Sequence, residues 1–348
     1  MLSNHDPAKY RKIHVPDCPR KITFGTQAMP CNLRCPKCLV WGINNDEGRR
    51  IKNMPKEIMS MESVIRVFDE VKDYKPTISP GFWIEPLAML NIEQFIMAAS
   101  SRGLPVNITT NGLLVTEHLA RIIVDHVALV SVSIDATTPE VLEKTRATDK
   151  LTGIEAAVLL LLEKRGNRKT PRITVSFTVE KYNAHQRQDF LEYWIKHVDA
   201  VKINEVFAYT GTIGSKTIYA ERIPCREIYD AMIIDYNGEA RLCCLDGLRQ
   251  TNVGNVLQDG VLGVWRGEAL TKIRCGHETD FYDDLPLCKD CTLWSNFNIY
   301  EEKRENDILV RSSLSDQCVY YNRIDRMDTW SEESRRLDLK VDAFLGGN

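Results

Sequence analysis

The sequence predicts an α/β protein in which repeated βα units surround a parallel sheet and a smaller, cysteine-bearing domain follows. Three observations carry this reading. From about residue 20 to 210 of the 348, short β-branched runs alternate with longer stretches of helical period. Several of those runs are apolar on both faces, as strands covered on both sides should be. Past residue 210 the helical patterning breaks, cysteines return, and Asn237-Gly238 stands between the runs AMIIDY and EARLCC. Asn-Gly between strand-like segments is a strong hairpin signal, because both positions can take positive φ.

Six strands are expected in the first part: Lys21 to Gly25, Thr77 to Ile84, Val106 to Thr110, Ala128 to Ile134, Arg172 to Val179 and Ala200 to Val206. Helices are expected to start near Ser60, Asn91, Thr116, Thr138 and Ala184, with another over Leu151 to Lys164. Thr138 before Pro139 offers a cap with proline at the first helical position. Beyond the hairpin a helix over Asp259 to Ile273 precedes the CKDC loop, Cys288 to Cys291, and the charged tail after Cys318 reads as one amphipathic helix. The boundaries are then an extension at 1–19, the α/β unit at 20–210, the small domain at 211–320 and a helical tail at 321–348.

Composition narrows the partners. Hydrophobic residues make up 43% and charged residues 27%, with a formal charge of -3, which argues against disorder and against a nucleic-acid footprint. The longest apolar run, Ala156 to Leu162, falls far short of the roughly 20 residues that cross a bilayer, so no membrane partner is expected. The opening segment MLSNHDPAKYRKIHVPDC lacks an apolar signal stretch, and the cysteine total is odd, eleven. Both point to a cytoplasmic protein with reduced thiols.

The chemistry is concentrated in CNLRCPKC, where Cys31, Cys35 and Cys38 offer three thiolates from one short loop directly after the first strand. Three thiolates hold three corners of a 4Fe-4S cube and leave one iron open. Structural zinc prefers four ligands in two pairs, and here a third cysteine stands before a single CxxC with no nearby fourth ligand. Loops at the carboxyl ends of parallel strands are where α/β active sites form.

CxxxCxxC near the amino end of such a chain resembles the signature of the radical S-adenosylmethionine (SAM) superfamily. The resemblance implies a partial (β/α)6 barrel whose open iron chelates SAM, and reductive cleavage of SAM to a 5'-deoxyadenosyl radical that removes a hydrogen atom from substrate. It further implies a low-potential reductant, a flavodoxin or ferredoxin. The family's GGEP after the second strand appears here as Trp83-Ile84-Glu85-Pro86, so Glu85 is the expected partner of the SAM amino group although both glycines are gone. Ser133 and Asp135 match the ribose-contacting region, and Arg146 matches an arginine that meets the SAM carboxylate. Asn111, in the Thr110-Asn111-Gly112 turn, is a further candidate contact, equally well read as a strand-end turn. Lys37 stands where the family tends to place an aromatic residue against adenine.

Cys225, Gly238 and Cys243 resemble the opening signature of SPASM and twitch auxiliary-cluster domains, and Cys288 with Cys291 completes four ligands. The hairpin returns the second strand beside Cys225, and the later CxxC closes the site. The further cysteines of a full SPASM domain are missing after Cys291, so one auxiliary 4Fe-4S cluster is implied, similar to 2-deoxy-scyllo-inosamine dehydrogenases. Four cysteines in two groups also suit a zinc ribbon, which keeps a zinc-stabilised adaptor as the non-enzymatic alternative.

With an auxiliary cluster to take an electron, the expected reaction is oxidation of an alcohol to a ketone on a carbohydrate or aminocyclitol. If Cys244, Cys275 or Cys318 instead donates a hydrogen atom, the outcome is epimerisation. The same domain pair occurs in enzymes that crosslink or epimerise ribosomal peptides. Only about thirty residues precede Cys31, which leaves no room for a peptide-leader domain and favours a small substrate.

Overall fold

The structure, a computed structural model, describes residues 13–26, 31–43, 58–205, 222–296, 299–313, 317–329 and 339–340. Strands β1 (Lys21–Gly25), β2 (Thr77–Pro80), β3 (Asn107–Thr110), β4 (Leu129–Ser133), β5 (Arg172–Val179) and β6 (Ala200–Glu205) follow one another in space as in sequence. All neighbours run parallel, with β2 meeting β3 through the Ile78–Val106 bridge. The connecting helices are α1 (Met61–Val71), α2 (Ile92–Ser100), α3 (Glu117–His126), α4 (Pro139–Arg146), α5 (Leu151–Arg165) and α6 (Arg187–Trp194). This is the partial barrel of six parallel strands that the resemblance implied. The last strand reached Val206 in the sequence reading, a residue outside the described ones.

Local chemistry sets the helix starts. Ser60 accepts a hydrogen bond from the Ser63 amide and Thr116 one from the Leu119 amide, each satisfying a first-turn donor. Thr138 occupies the cap position before Pro139 but makes no such bond; its hydroxyl accepts from Gln186 Nε2 at 3.3 Å. Pro139 already removes one first-turn donor, so the capping demand is small there. Phe24 of β1, Phe68 of α1 and Phe95 of α2 meet edge to face with centroids 5.2 to 5.4 Å apart. All three are fully buried. That triangle seats the first strand, and so the start of the cysteine loop, against two helices.

The second strand ends at Pro80, short of Ile84. Gly81 and Trp83 take φ of 91° and 56°, left-handed values that break extended structure and turn the chain at the strand's carboxyl end. Downstream, α7 (Glu227–Asp230) leads into β7 (Ala231–Asp235), and β8 (Ala240–Arg241) returns antiparallel to it. Gly238 supplies the positive φ of 84°, and a Cβ there would collide with Leu257.

The helix expected over Asp259 to Ile273 is two helices, α8 (Val256–Trp265) and α9 (Glu268–Glu278). Gly260, at φ 72°, kinks α8. Glu70 of α1 accepts from the Val261 and Leu262 amides just past the kink. A last short helix, α10 (Pro286–Lys289), carries Cys288.

The charged tail is corrected as well. Residues after the CKDC loop form β9 (Ile299–Glu305), β10 (Ile308–Ser313) and β11 (Cys318–Arg323), then a 3-10 turn over Ile324–Thr329 and β12 (Leu339–Lys340). The chain after Cys318, expected as a helix, instead opens as a strand paired antiparallel on both sides, to β10 and to β6. Residues 330–338 and 341–348 of the expected tail helix lie outside the described residues.

The later strands close on both edges of the barrel. β7 joins β1 in parallel and β11 joins β6 antiparallel. The lateral opening between β1 and β6 is therefore flanked on each side by C-terminal chain. Among the described residues no helix is long and apolar enough to cross a membrane.

Candidate active site and auxiliary cysteine site

The cysteine loop leaves β1 at its carboxyl end and is shaped by its own backbone. The Cys38 amide bonds the Cys35 carbonyl at 2.9 Å, and the Gly42 amide bonds the Cys38 carbonyl at 3.0 Å. A Cβ at Gly42 would run into the Cys38 carbonyl oxygen, so this close approach requires glycine. Two sulfurs already accept backbone donors: Cys31 Sγ from the Leu33 amide at 3.5 Å and Cys38 Sγ from the Trp41 amide at 3.3 Å. Burial pushes the Cys31 thiol up to about 11, against the pull of the Leu33 amide. Thiols held this way ionise when they bind metal, and three of them on one loop suit three corners of a cube.

The carboxyl ends of the next strands converge on this loop. Glu85, after β2, is only 3% exposed. It accepts from the Thr110 hydroxyl at 2.5 Å, the Asn111 amide at 2.8 Å and the Leu87 amide at 3.2 Å. Burial raises its pKa against those donors. Glu85 thus ties the β2 and β3 ends together. Asn111 continues the chain of contacts, its Nδ2 donating to Asn32 Oδ1 of the cysteine loop at 2.7 Å. Ser133 receives the Ser176 hydroxyl at 3.1 Å.

Asp135 is placed differently from the expectation that it meets ribose. It is fully buried, at φ 67°. One carboxylate oxygen accepts Lys37 Nζ at 2.9 Å and Arg146 Nε at 2.8 Å, and the other accepts the Thr178 amide at 2.6 Å. Burial alone would raise its pKa, but Arg146 and Lys37 outweigh it and hold the carboxyl at about 2. Its oxygens are therefore committed to positioning two cations. Lys37 also pairs with Glu180, after β5, at 2.9 Å, which stitches the cysteine loop to the ends of β4 and β5. Arg146 is held through Nε alone among the described residues, leaving its two terminal nitrogens for a bidentate partner such as a carboxylate. Its charge is felt by Cys35 and Glu85.

The second group assembles as the spacing implied. Cys225 before α7, Cys243 after β8, and Cys288 and Cys291 around α10 line one cavity. Burial pushes Cys288 up to about 12, with neighbouring Cys291 adding to it, and raises Cys225 and Cys243 well above the ordinary thiol range. Among the described residues no three Cys, His, Asp or Glu side chains gather round a single-ion centre. Four thiols around one cavity, not gathered on a single-ion centre, suit a cubane with its larger span.

The two sites are joined. Trp83, the residue in place of a family glycine, donates its indole N–H to the Cys244 carbonyl at 2.8 Å. Its own carbonyl accepts the indole N–H of Trp41. Trp83 also lies so close to Gly247 that a Cβ there would be 2.7 Å from its ring.

Of the three cysteines expected as hydrogen-atom donors, Cys244 is the one that follows an auxiliary thiol directly and meets Trp83, through its carbonyl. Cys275 is exposed on α9 and Cys318 is buried in β11 beside β6; neither lines the auxiliary cavity. All eleven cysteines are free thiols. Lys37 and Trp83 announce themselves in sequence only as departures from a family pattern. Arg222 and His277, which also line the auxiliary cavity, carry no sequence signal, because tertiary packing alone brings them there.

Residues 30–193 match the family model described as Radical SAM superfamily. Residues 225–292 match the one described as SPASM, an iron-sulfur cluster-binding domain. No curated protein sequence matches the chain. Among solved structures, BtrN in complex with AdoMet and 2-DOIA is 14% identical with a TM-score of 0.52, covering 78% of this chain and 92% of its own. Streptococcus suis SuiB bound to S-adenosylmethionine is 16% identical with a TM-score of 0.62, covering 82% of this chain and 76% of its own. AnSMEcpe with bound AdoMet is 14% identical with a TM-score of 0.58, covering 80% of this chain and 86% of its own. SuiB is also known bound to the precursor peptide SuiA, and anSMEcpe with the Cp18Cys peptide.

Proposed function

This chain is a radical SAM protein with a SPASM domain, and on that premise we propose that it oxidises an alcohol carbon of a carbohydrate or aminocyclitol to the ketone. The observation that supports the reading is the four-thiol cavity joined to the first cysteine loop through Trp83. When bound, the SAM-carrying cluster supplies a 5'-deoxyadenosyl radical for hydrogen abstraction, and the auxiliary cluster supplies an acceptor for one electron.

The chain's own groups do the rest. Cys31, Cys35 and Cys38 hold the first cluster, and Cys225, Cys243, Cys288 and Cys291 hold the second. Arg146 presents its terminal nitrogens to the SAM carboxylate. Asp135 and Lys37 fix that guanidinium and the loop relative to each other, so SAM and cluster would be held in one register. Glu85 and Asn111 hold the strand ends that carry the SAM amino group, and Ser133 lines the ribose side. A flavodoxin or ferredoxin in the cytoplasm is the electron source. The BtrN complex with a small molecule agrees with this substrate class.

A second reading, epimerisation, is favoured by the place of Cys244, directly after Cys243 and hydrogen-bonded to Glu227. The test is anaerobic reconstitution followed by dithionite, SAM and a panel of aminocyclitols, sugars and peptides. Oxidation gives 5'-deoxyadenosine and a product two mass units lighter. In D2O, epimerisation instead returns a product one mass unit heavier. Cys35→Ala abolishes SAM cleavage, whereas Cys288→Ala spares cleavage and stops substrate oxidation. Cleavage persisting in Cys35→Ala would overturn the assignment of the first loop.

A further inference from the structure

The auxiliary cavity holds more than its four thiols. Arg222 and His277 also line it, from the segment before Cys225 and from α9. Both present buried nitrogen atoms with no hydrogen-bond partner among the described residues, Arg222 Nε and His277 Nε2.

The protonation of His277 follows from geometry. Its Nδ1 accepts the backbone N–H of Cys225 at 3.2 Å, so that nitrogen carries no proton. A neutral imidazole then bears its single hydrogen on Nε2. The ring is completely buried and stands edge-on to Tyr282 with centroids 5.0 Å apart, which fixes its plane. Arg222 is fixed by the same tyrosine. Its guanidinium lies 3.8 Å from the Tyr282 ring centroid, and Nη1 donates to the Lys289 carbonyl at 3.2 Å. The remaining Nε–H is a donor that cannot be deprotonated.

Two buried donors facing one cavity are costly to leave without acceptors. Here they share a cavity with four sulfurs and little else that can accept. We infer that Arg222 and His277 are hydrogen-bond donors to the sulfur atoms of the cluster held by Cys225, Cys243, Cys288 and Cys291, and that they raise its reduction potential. This rests on the reading of that site as an iron-sulfur centre. The physical basis is general: donors and positive charge beside cluster sulfur stabilise the extra electron of the reduced state. A higher potential makes the centre a better acceptor, which is what an oxidation needs. His277 and Arg222 are positioning residues for that electron transfer, since they act through the cluster.

The test isolates the auxiliary centre in the full-length chain by replacing Cys31, Cys35 and Cys38 with alanine, then follows its reduction by potentiometric EPR. In that background His277→Phe and Arg222→Met each lower the reduced-to-oxidised ratio at a given potential about tenfold, a shift of about 59 mV for one electron. His277→Gln, which keeps a donor, recovers most of it. Iron and sulfide content, measured in parallel, shows that the cluster is intact. Unchanged potentials in both donor-deleting variants with full iron content would overturn the inference while leaving the iron-sulfur reading in place. An isolated site that takes up zinc and no iron would instead defeat the underlying reading.

Discussion

Replacing Asp135 by asparagine removes the one carboxylate that holds Lys37 and Arg146 together. The side chain is fully buried, and both of its oxygens accept hydrogen bonds in the native fold. Holding its pKa at about 2 against an ordinary 3.8 corresponds to about 2 kcal/mol of stability, using 1.36 kcal/mol per unit. The variant loses more than this. Its amide must turn NH2 toward either the two cations or the Thr178 amide, and a buried Arg146 is left without its counter-charge, a loss of about 3 to 5 kcal/mol. Urea unfolding at pH 7, followed by far-UV circular dichroism, is expected to show that loss. The sign of the pH dependence is fixed as well. Because the folded pKa is depressed, the contribution is complete above about 4 and disappears as pH falls toward about 2. The gap between wild type and variant should narrow by about 2 kcal/mol over that window. A loss below about 1 kcal/mol at pH 7, the value of an ordinary surface ion pair, would refute the view of Asp135 as a buried anchor.

Other outcomes follow from the same geometry. Gly42→Ala forces a side-chain carbon against the Cys38 carbonyl, so the first cluster should fail to assemble while auxiliary iron, counted separately, remains. Glu85→Gln places an NH2 against donors from Thr110, Leu87 or Asn111 and should cost about 1 to 3 kcal/mol in denaturant titration. Cys275→Ser, on an exposed helix position, should leave stereochemistry and turnover unchanged, whereas Cys244→Ser should abolish deuterium incorporation if epimerisation is the reaction. Gly247→Ala, aimed at Trp83 from 2.7 Å, should destabilise by about 1 to 3 kcal/mol and broaden the EPR signal of the first cluster.

Much of this is legible in the sequence. The cysteine spacings marked both thiol groups, because a loop or a hairpin with cysteines at such separations brings them to one place. The parallel strands were visible because β-branched residues cluster in short runs, as in Ile173 to Val175 of β5. Asp135 was legible as a site residue, but nothing in SVSIDA says that Lys37, ninety-eight residues earlier, will meet its carboxylate. The tail was missed because Cys318 to Arg323 is extended only through its pairing with β10 and β6, a pairing invisible along the segment itself. Helix α8 was misplaced because Gly260 looks tolerable in a periodic pattern, and its kink is stabilised by Glu70 from far upstream.

The two-edged pairing of the barrel bears on how the chain comes to fold. β1 acquires its second neighbour only when residues 231–235 arrive, and β6 acquires its own only with 318–322. A nascent barrel therefore waits on the ribosome with both margins raw, dependent on contacts of very long sequence separation and exposed to mispairing with other chains. Severing the gene after residue 205 should yield an insoluble fragment, so the part that binds the second cluster also serves as the selvedge of the first.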